Sequence, residues 1–275
     1  REAPPLSSNL DSCDVVLRSH FNAYWAAHPL IPEYREEATV EVEVKRVSCP
    51  ICIKMASKYY VATVQVRAEG RRLTRNEVTL ISRLVENIVS REVESDRSAY
   101  VVEAKEVGGG FDFKFANTRI AKLIASRIRD ETGALLKETF KVIGVDRSTG
   151  KRLSRLTISV RLPPFTFGDI IRVEGAVMRF EEFRGGRFFA VDLSSWRRLS
   201  ISYKDVWSGR VERVASLSDL PTAIVISSYG STIQLMDLSS YEIYEVKKPE
   251  ELELKSGIEV RFIKLDGEVY IASLA

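Results

Sequence analysis

The sequence predicts an α+β protein: a layered ββα-ββα-ββ core domain, then two small all-β barrels, the first SH3-like and the second OB-like. Three observations lead there. Helical periodicity of useful length is confined to residues 1–162, Pro163-Pro164 breaks the chain sharply, and short stretches separated by turn residues fill the chain from 165 to 275. The 275 residues are 45% hydrophobic and 29% charged, enough apolar material to bury cores and too much for a disordered chain.

Each element follows from its own pattern. Leu10, Cys13, Leu17, Phe21 and Tyr24 recur at helical spacing and predict a helix to about His28, ended by Pro29 and Pro32. Thr39–Val47 and Tyr59–Arg67 alternate as strands with one wet face. Thr74 with Glu77 three residues on is a capping box, opening a helix that runs to about Val93. Tyr100–Val107 and Phe111–Phe115 read as strands broken by Gly108-Gly109-Gly110. Asn117 then opens a helix stopped by Gly133. Leu135–Val145 and Leu153–Leu162 are strands joined by the turn Asp146–Gly150. The repeated order suggests an internal duplication, although the two halves share little sequence.

Ten short strands are expected after Pro163, five on either side of Pro221, with turns at Gly168-Asp169 and Arg184-Gly185-Gly186. The expected domains are therefore 1–162, 163–214 and 215–275.

Composition excludes several classes. No stretch approaches the ~20 apolar residues needed to cross a bilayer, and no basic-then-apolar leader precedes the first element. Three cysteines, Cys13, Cys49 and Cys52, are too few for a disulfide framework and fit a reducing, cytoplasmic setting. No Gly-x-Ser-x-Gly, paired histidine or spaced metal-binding carboxylate appears, so the reading is of a protein that is not an enzyme. Gly108–Gly110 is followed by a strand instead of Gly-Lys-Ser/Thr and a helix, which argues for a tight connection and against a phosphate loop.

Cys49-Pro-Ile-Cys52 is half of a structural zinc site, which takes four thiolate or imidazole ligands. Cys13 and His20 read as core, so this stretch of chain is expected to hold no cofactor by itself. Redox use of the pair requires a helix N-terminus, whereas strands are predicted on both sides of it.

Charge is more informative than motif. The net charge of +3 conceals a division: from Asp112 to Arg161 twelve basic residues stand against five acidic, while from Ser202 to Ala275 eight stand against twelve. Lys114, Arg119, Lys122, Lys141, Arg147, Lys151 and Arg152 are the candidate RNA-binding residues, because a phosphate backbone is held by such a display of cations. Any one of them alone reads better as a solvated surface charge, and the RNA-binding reading rests on the tract as a whole. Phe111, Phe113 and Phe115 share a strand face and read as core in preference to a base-stacking platform. Trp196 and Trp207 are open to either reading.

Cys49-Pro-Ile-Cys52 leading into Tyr59–Arg67 resembles a known family, the large-subunit ribosomal export adaptors, also called nonsense-mediated mRNA decay protein three. Gly110–Phe115 with its following helix, the hairpin Lys141–Arg152, Thr157–Leu162 and Phe167-Gly-Asp-Ile-Ile171 are similar to the family in the same order. The likeness is closer to archaeal than to eukaryotic members. It implies a monomeric, non-enzymatic factor on the intersubunit face of the large subunit late in assembly, touching ribosomal RNA and proteins near the tRNA exit site, with no membrane partner. It implies zinc in the full-length protein, held by several C-x-x-C pairs of which Cys49 and Cys52 are the last, and barrels similar to the hypusine-bearing translation factor. A chain starting at Arg1 and stopping at Ala275 is then expected to be a fragment without the upstream fingers or an export tail. The rival expectation is a free-standing RNA-binding translation factor acting on tRNA or mRNA.

Overall fold

The computed structural model describes residues 15–25, 30, 32, 34–44, 48–145, 147, 150–248 and 254–274. Leu10, Cys13, His28, Pro29, Asp146, Ser148 and Thr149, on which some of the expectations above rest, lie outside them. The fold is mixed α+β, mostly sheet, with few helices and several small sheets. The chain forms two compact units, Arg1–Ile53 and Lys54–Ala275.

In the first unit, β1 (Val15–Trp25) and β2 (Tyr34–Val44) pair antiparallel as a two-stranded sheet; α1 (Pro50–Ala56) follows, and the division between the units falls within it. The helix expected up to His28 is therefore a strand wherever it is described. The reason is a shared periodicity: residues four apart are neighbours on a helix face and also lie on one side of a strand, so Leu17 and Phe21 satisfy both patterns. Register separates the two readings. Leu17, Phe21, Val40 and Val42 share one side, while Arg18 pairs with Glu41 at 2.5 Å and His20 Nδ1 meets Thr39 Oγ1 at 2.9 Å on the other.

The second unit begins with a five-stranded sheet. Its elements are β3 (Ala62–Ala68), α2 (Arg75–Ser95), β4 (Val101–Val107), β5 (Gly110–Phe115), α3 (Thr118–Thr132), β6 (Leu135–Val145) and β7 (Arg152–Leu162). The strand order is β4-β5-β3-β7-β6, with β3 and β7 parallel and the other pairs antiparallel. Both helix starts follow the sequence. The Glu77 amide donates to Thr74 Oγ1 at 3.3 Å while the Thr74 amide donates to Glu77 Oε2 at 2.8 Å, and the Arg119 amide donates to Asn117 Oδ1 at 2.8 Å. Ile81 and Val85 of α2 and Ile120, Ile124 and Ile128 of α3 bury against Val64, Val66, Phe113, Phe115, Ile158 and Val160. The phenylalanines of β5 are thus core, their rings stacked at 6.0 and 6.5 Å. Gly108 and Gly109 take positive φ in the β4–β5 turn, and a Cβ on Gly110 would lie 2.1 Å from the Val66 carbonyl oxygen, so this triplet is a connection.

Two further five-stranded sheets complete the unit. The first comprises β8 (Ile170–Val173), β9 (Ala176–Arg184), β10 (Arg187–Asp192), β11 (Arg198–Ser202), the short α4 (Tyr203–Trp207) and β12 (Val211–Ala215), in the order β11-β10-β9-β8-β12. The five-residue α4 was not expected. The second comprises β13 (Thr222–Tyr229), β14 (Thr232–Asp237), β15 (Ile243–Lys247), β16 (Glu259–Leu265) and β17 (Glu268–Leu274), in the order β15-β14-β13-β16-β17. Each surrounds its own apolar cluster, and a third cluster, with Ile170, Val177, Leu193, Leu220, Ile263 and Ala272, joins them. The α/β part is fixed to the first of these sheets through Gly133. Its carbonyl accepts Trp207 Nε1 at 3.1 Å, the next carbonyl accepts the Tyr203 hydroxyl at 3.0 Å, and Phe183 and Phe188 lie directly over its Cα. Trp196 packs from the first β domain onto the core of the second, with the Arg179 guanidinium 5.5 Å from its ring, so both tryptophans serve packing.

Candidate nucleic-acid interface

Both helices of the α/β part lie on one side of its sheet, so strand parity divides the residues into two sets. Ala62, Val64 and Val66, the three β5 phenylalanines and Leu156, Ile158, Val160 and Leu162 face the helices. The alternate positions form the opposite face. Register sets Glu103, Lys114, Thr63, Thr157 and Thr139 in one row across all five strands, and Lys105, Asp112, Gln65, Ser159 and Lys137 in the next. Arg67 and Arg161 form a third row at one end, and Arg155 and Lys141 a fourth at the other. Seven cations therefore share this face with Glu103 and Asp112, and Glu69 lies at its edge.

Some of these charges are partnered. Arg67 meets Asp112 at 2.7 Å, Lys114 meets Glu103 at 2.6 Å, and Arg161 meets Glu69 at 3.1 Å. The Glu103 carboxylate, by its hydrogen bond, holds the Lys114 ammonium above the ordinary lysine value, and the same bond holds Glu103 below the ordinary carboxylate value. The Lys114–Glu103 and Arg161–Glu69 pairs are exposed and weak enough to exchange for a phosphate, whereas Arg67 is half-buried and also donates to the Val66 and Phe111 carbonyls at 2.8 and 3.0 Å. Lys105, Lys137 and Lys141 have no carboxylate partner among the described residues. Arg155 lies 4.1 Å from the Tyr60 ring centroid and donates to its hydroxyl at 3.3 Å, and Lys114 Nζ lies 4.9 Å from the same ring.

At the Arg155 end the face runs into a projecting arm. β6 and β7 pair from Leu135–Arg161 to Val145–Arg152, but β3 backs β7 only from Leu156 onward. The remaining residues leave the sheet as a two-stranded ribbon, roughly 15 Å of strand plus its turn. A register shift between Val142 and Gly144 bends it. Val142, Ile143, Val145 and Leu153 are exposed along it, and Phe140 is 63% exposed at its base. A lone ribbon with apolar side chains in water is a costly surface to display.

The seven sequence-selected residues separate into three places. Lys114 and Lys141 are on the open sheet face. Arg147, Lys151 and Arg152 are exposed around the ribbon tip. Arg119 and Lys122 are on α3, in the helix layer, and both are engaged: Arg119 meets Glu92 of α2 at 2.5 Å, and Lys122 meets Glu138 at 2.9 Å with the Phe140 ring 5.9 Å away. The structure thus does not bring those two together with the rest. Sequence selection omitted Arg67, Lys105, Lys137, Arg155 and Arg161. Arg67, Arg155 and Arg161 occupy positions out of phase with the buried residues of their strands, a parity signal that was available, whereas β4 and β6 bury no residue and so gave none for Lys105 and Lys137. Strand order, which makes them neighbours, was not available.

Cys49 and Cys52 are not flanked by strands as expected, because α1 starts at Pro50, a favoured first helical residue. The two thiols are exposed, with sulfurs 3.1 Å apart and the Cys52 amide donating to Cys49 Sγ at 3.3 Å. Such a pair fits half of a four-ligand zinc site. Among the described residues no group of three or more His, Cys, Asp or Glu is placed to hold a metal ion.

Residues 59–162, which contain the open-faced sheet and its ribbon, match the family described as NMD3, second domain. The chain is 52% identical over 48 residues to translation initiation factor 5A of Korarchaeum cryptofilum, covering 16% of this chain and 36% of that protein. To the protein of the same name from Methanothermobacter thermautotrophicus it is 42% identical over 65 residues, covering 21% and 50%. The chain therefore spans between a third and a half of these two curated relatives. The solved structure of eukaryotic translation initiation factor 5A from Methanococcus jannaschii aligns with 21% identity and a TM-score of 0.25, covering 40% of this chain and 90% of that one.

Proposed function

We propose that this chain is a ribosome-binding factor of the NMD3 family that docks on the intersubunit face of the large subunit late in maturation and controls subunit joining. Eukaryotic relatives would use the same docking for export. The observation that carries this reading is the basic ribbon projecting from the domain that matches the family. In this reading Lys114, Lys141, Arg147, Lys151 and Arg152 hold ribosomal RNA. The division into 1–162, 163–214 and 215–275 separates an RNA-binding domain from SH3-like and OB-like barrels, the types that the two strand orders suit. The acidic last barrel approaches basic ribosomal protein near the tRNA exit site. We read the chain as an archaeal-type, monomeric, cytoplasmic and non-enzymatic factor, with zinc held by Cys49, Cys52 and a further ligand pair in the full-length protein. No helix among the described residues is long and apolar enough to cross a membrane.

Similarity to translation initiation factor 5A favours one alternative, a free-standing translation factor acting on tRNA or mRNA. Sedimentation of the tagged chain with isolated ribosomal subunits separates the two. The proposal expects it to travel with the large subunit alone. Travel with free tRNA or mRNA and with neither subunit favours the alternative.

A further inference from the structure

The open sheet face has a chemical character that goes beyond its charge. We propose that it binds the backbone of double-helical RNA across the minor groove, with hydroxyl groups at its centre meeting ribose 2′-hydroxyls and cations at its rim meeting the flanking phosphates. This deepens the RNA-binding reading above and rests on it.

Sheets that bind single strands do so by stacking bases on exposed aromatic rings. This face cannot work that way. The three phenylalanines of β5 point to the helices, and Tyr60, beside the face, has its ring engaged by Arg155 and Lys114. The centre carries Thr63, Thr157 and Ser159 instead, with Thr139 beside them on the edge strand, and Gln65 shares it while donating to Asp112 at 3.3 Å. Thr139 donates to the Thr157 carbonyl at 3.3 Å, whereas the hydroxyls of Thr63, Thr157 and Ser159 have no protein partner among the described residues. All three are half-buried, so they form a shallow polar floor and not a fringe of long side chains.

The cations surround that floor. Lys105 on β4 and Lys137 on β6 end the same row, four strand intervals or about 19 Å apart. Arg161 closes one end, beside an Arg67 already committed to Asp112 and two backbone carbonyls, and Arg155 and Lys141 close the other, where the ribbon begins. The wide, shallow minor groove of A-form RNA displays 2′-hydroxyls between two phosphate strands, and recognition there proceeds by shape and by those groups. A flat, hydroxyl-bearing floor within a cationic rim complements it. Single strands lack the paired phosphate rails, and B-form DNA lacks the 2′-hydroxyl.

The test compares binding of the whole chain to an RNA duplex of about 16 base pairs, a DNA duplex of the same sequence, and one RNA strand alone. Tightest binding to the RNA duplex is expected. Thr63→Val, Thr157→Val and Ser159→Ala combined should weaken RNA-duplex binding about ten-fold or more and leave DNA binding unchanged, since each hydrogen bond removed is worth a few-fold. The exposed pair Lys105→Gln and Lys137→Gln, which carries little risk to folding, should weaken binding to both duplexes. Equal or tighter binding to the single strand or to DNA overturns the inference, as does a hydroxyl-deleted protein that binds the RNA duplex normally. A chain that travels with the large subunit but binds none of the three oligomers overturns it while leaving the ribosomal reading intact.

Discussion

At the residue scale, Gly133 links the helix layer to the first β domain. It ends α3 with φ of 70°, and a Cβ there would lie 2.4 Å from the Phe188 ring. Gly133→Ala combines a left-handed penalty with overpacking, and a loss of about 2–4 kcal/mol is expected in chemical denaturation. Gly150→Ala has φ of similar sign but open space around it, so about 1 kcal/mol is expected. If the two cost the same, Gly133 does not anchor the domains. Arg119 and Lys122 give a second contrast. Both are engaged within the helix layer, so replacing them by Gln should leave RNA affinity within two-fold, whereas Lys105→Gln and Lys137→Gln reduce it. Capping residues and Gly133 were legible one position at a time, because a cap or a left-handed stop needs only its immediate neighbours.

Elements were legible where local pattern and tertiary partner agreed. Alternation found β3, β5, β6 and β7, and the capping box found α2. The same reasoning failed at β1, where residues four apart satisfy helix and strand together and only pairing with β2 decides. It also passed over a turn that occurs twice. Asp192-Leu-Ser-Ser-Trp196 and Asp237-Leu-Ser-Ser-Tyr241 adopt one conformation: in each, Asp Oδ1 accepts the amide and hydroxyl of the first Ser, and the aromatic residue has φ of 60°. Periodicity cannot detect such a recurrence across two different sheets.

Both aspartates sit below the ordinary value of 3.8. Burial pushes Asp192 up, but the bonds from Ser194 and Ser195 outweigh it, and at Asp237 the Ser239 amide is the main cause. A depressed carboxylate contributes stability that is present above its unfolded pKa and lost as pH falls through the folded one. Asp192→Asn with Asp237→Asn should therefore flatten the fall in stability below about pH 3.8. An unaltered acid limb in pH-dependent denaturation argues against the turns as its source. The ribbon permits an excision: because β3 backs β7 only from Leu156, replacing residues 143–153 by a two-residue turn should keep the thermal midpoint within a few degrees and lower RNA affinity.

For the whole molecule, charge is divided by domain. A basic α/β part and an acidic last β domain give a near-neutral total, which conceals the basic surface on which the proposed RNA contact rests. The sequence indicated the excess of cations between Asp112 and Arg161 but not its three-dimensional division, since strand order places Lys105 and Arg67 beside Lys137 and sends Arg119 to the opposite layer. The most direct test of the central claim is co-sedimentation with purified large subunits over a salt series, comparing the chain with its Arg147→Glu, Lys151→Glu, Arg152→Glu variant. Weaker pelleting of the variant is predicted, with a log affinity against log salt slope shallower by about 0.7–0.9 for each phosphate the variant no longer neutralises. Identical pelleting and an identical slope would contradict the account.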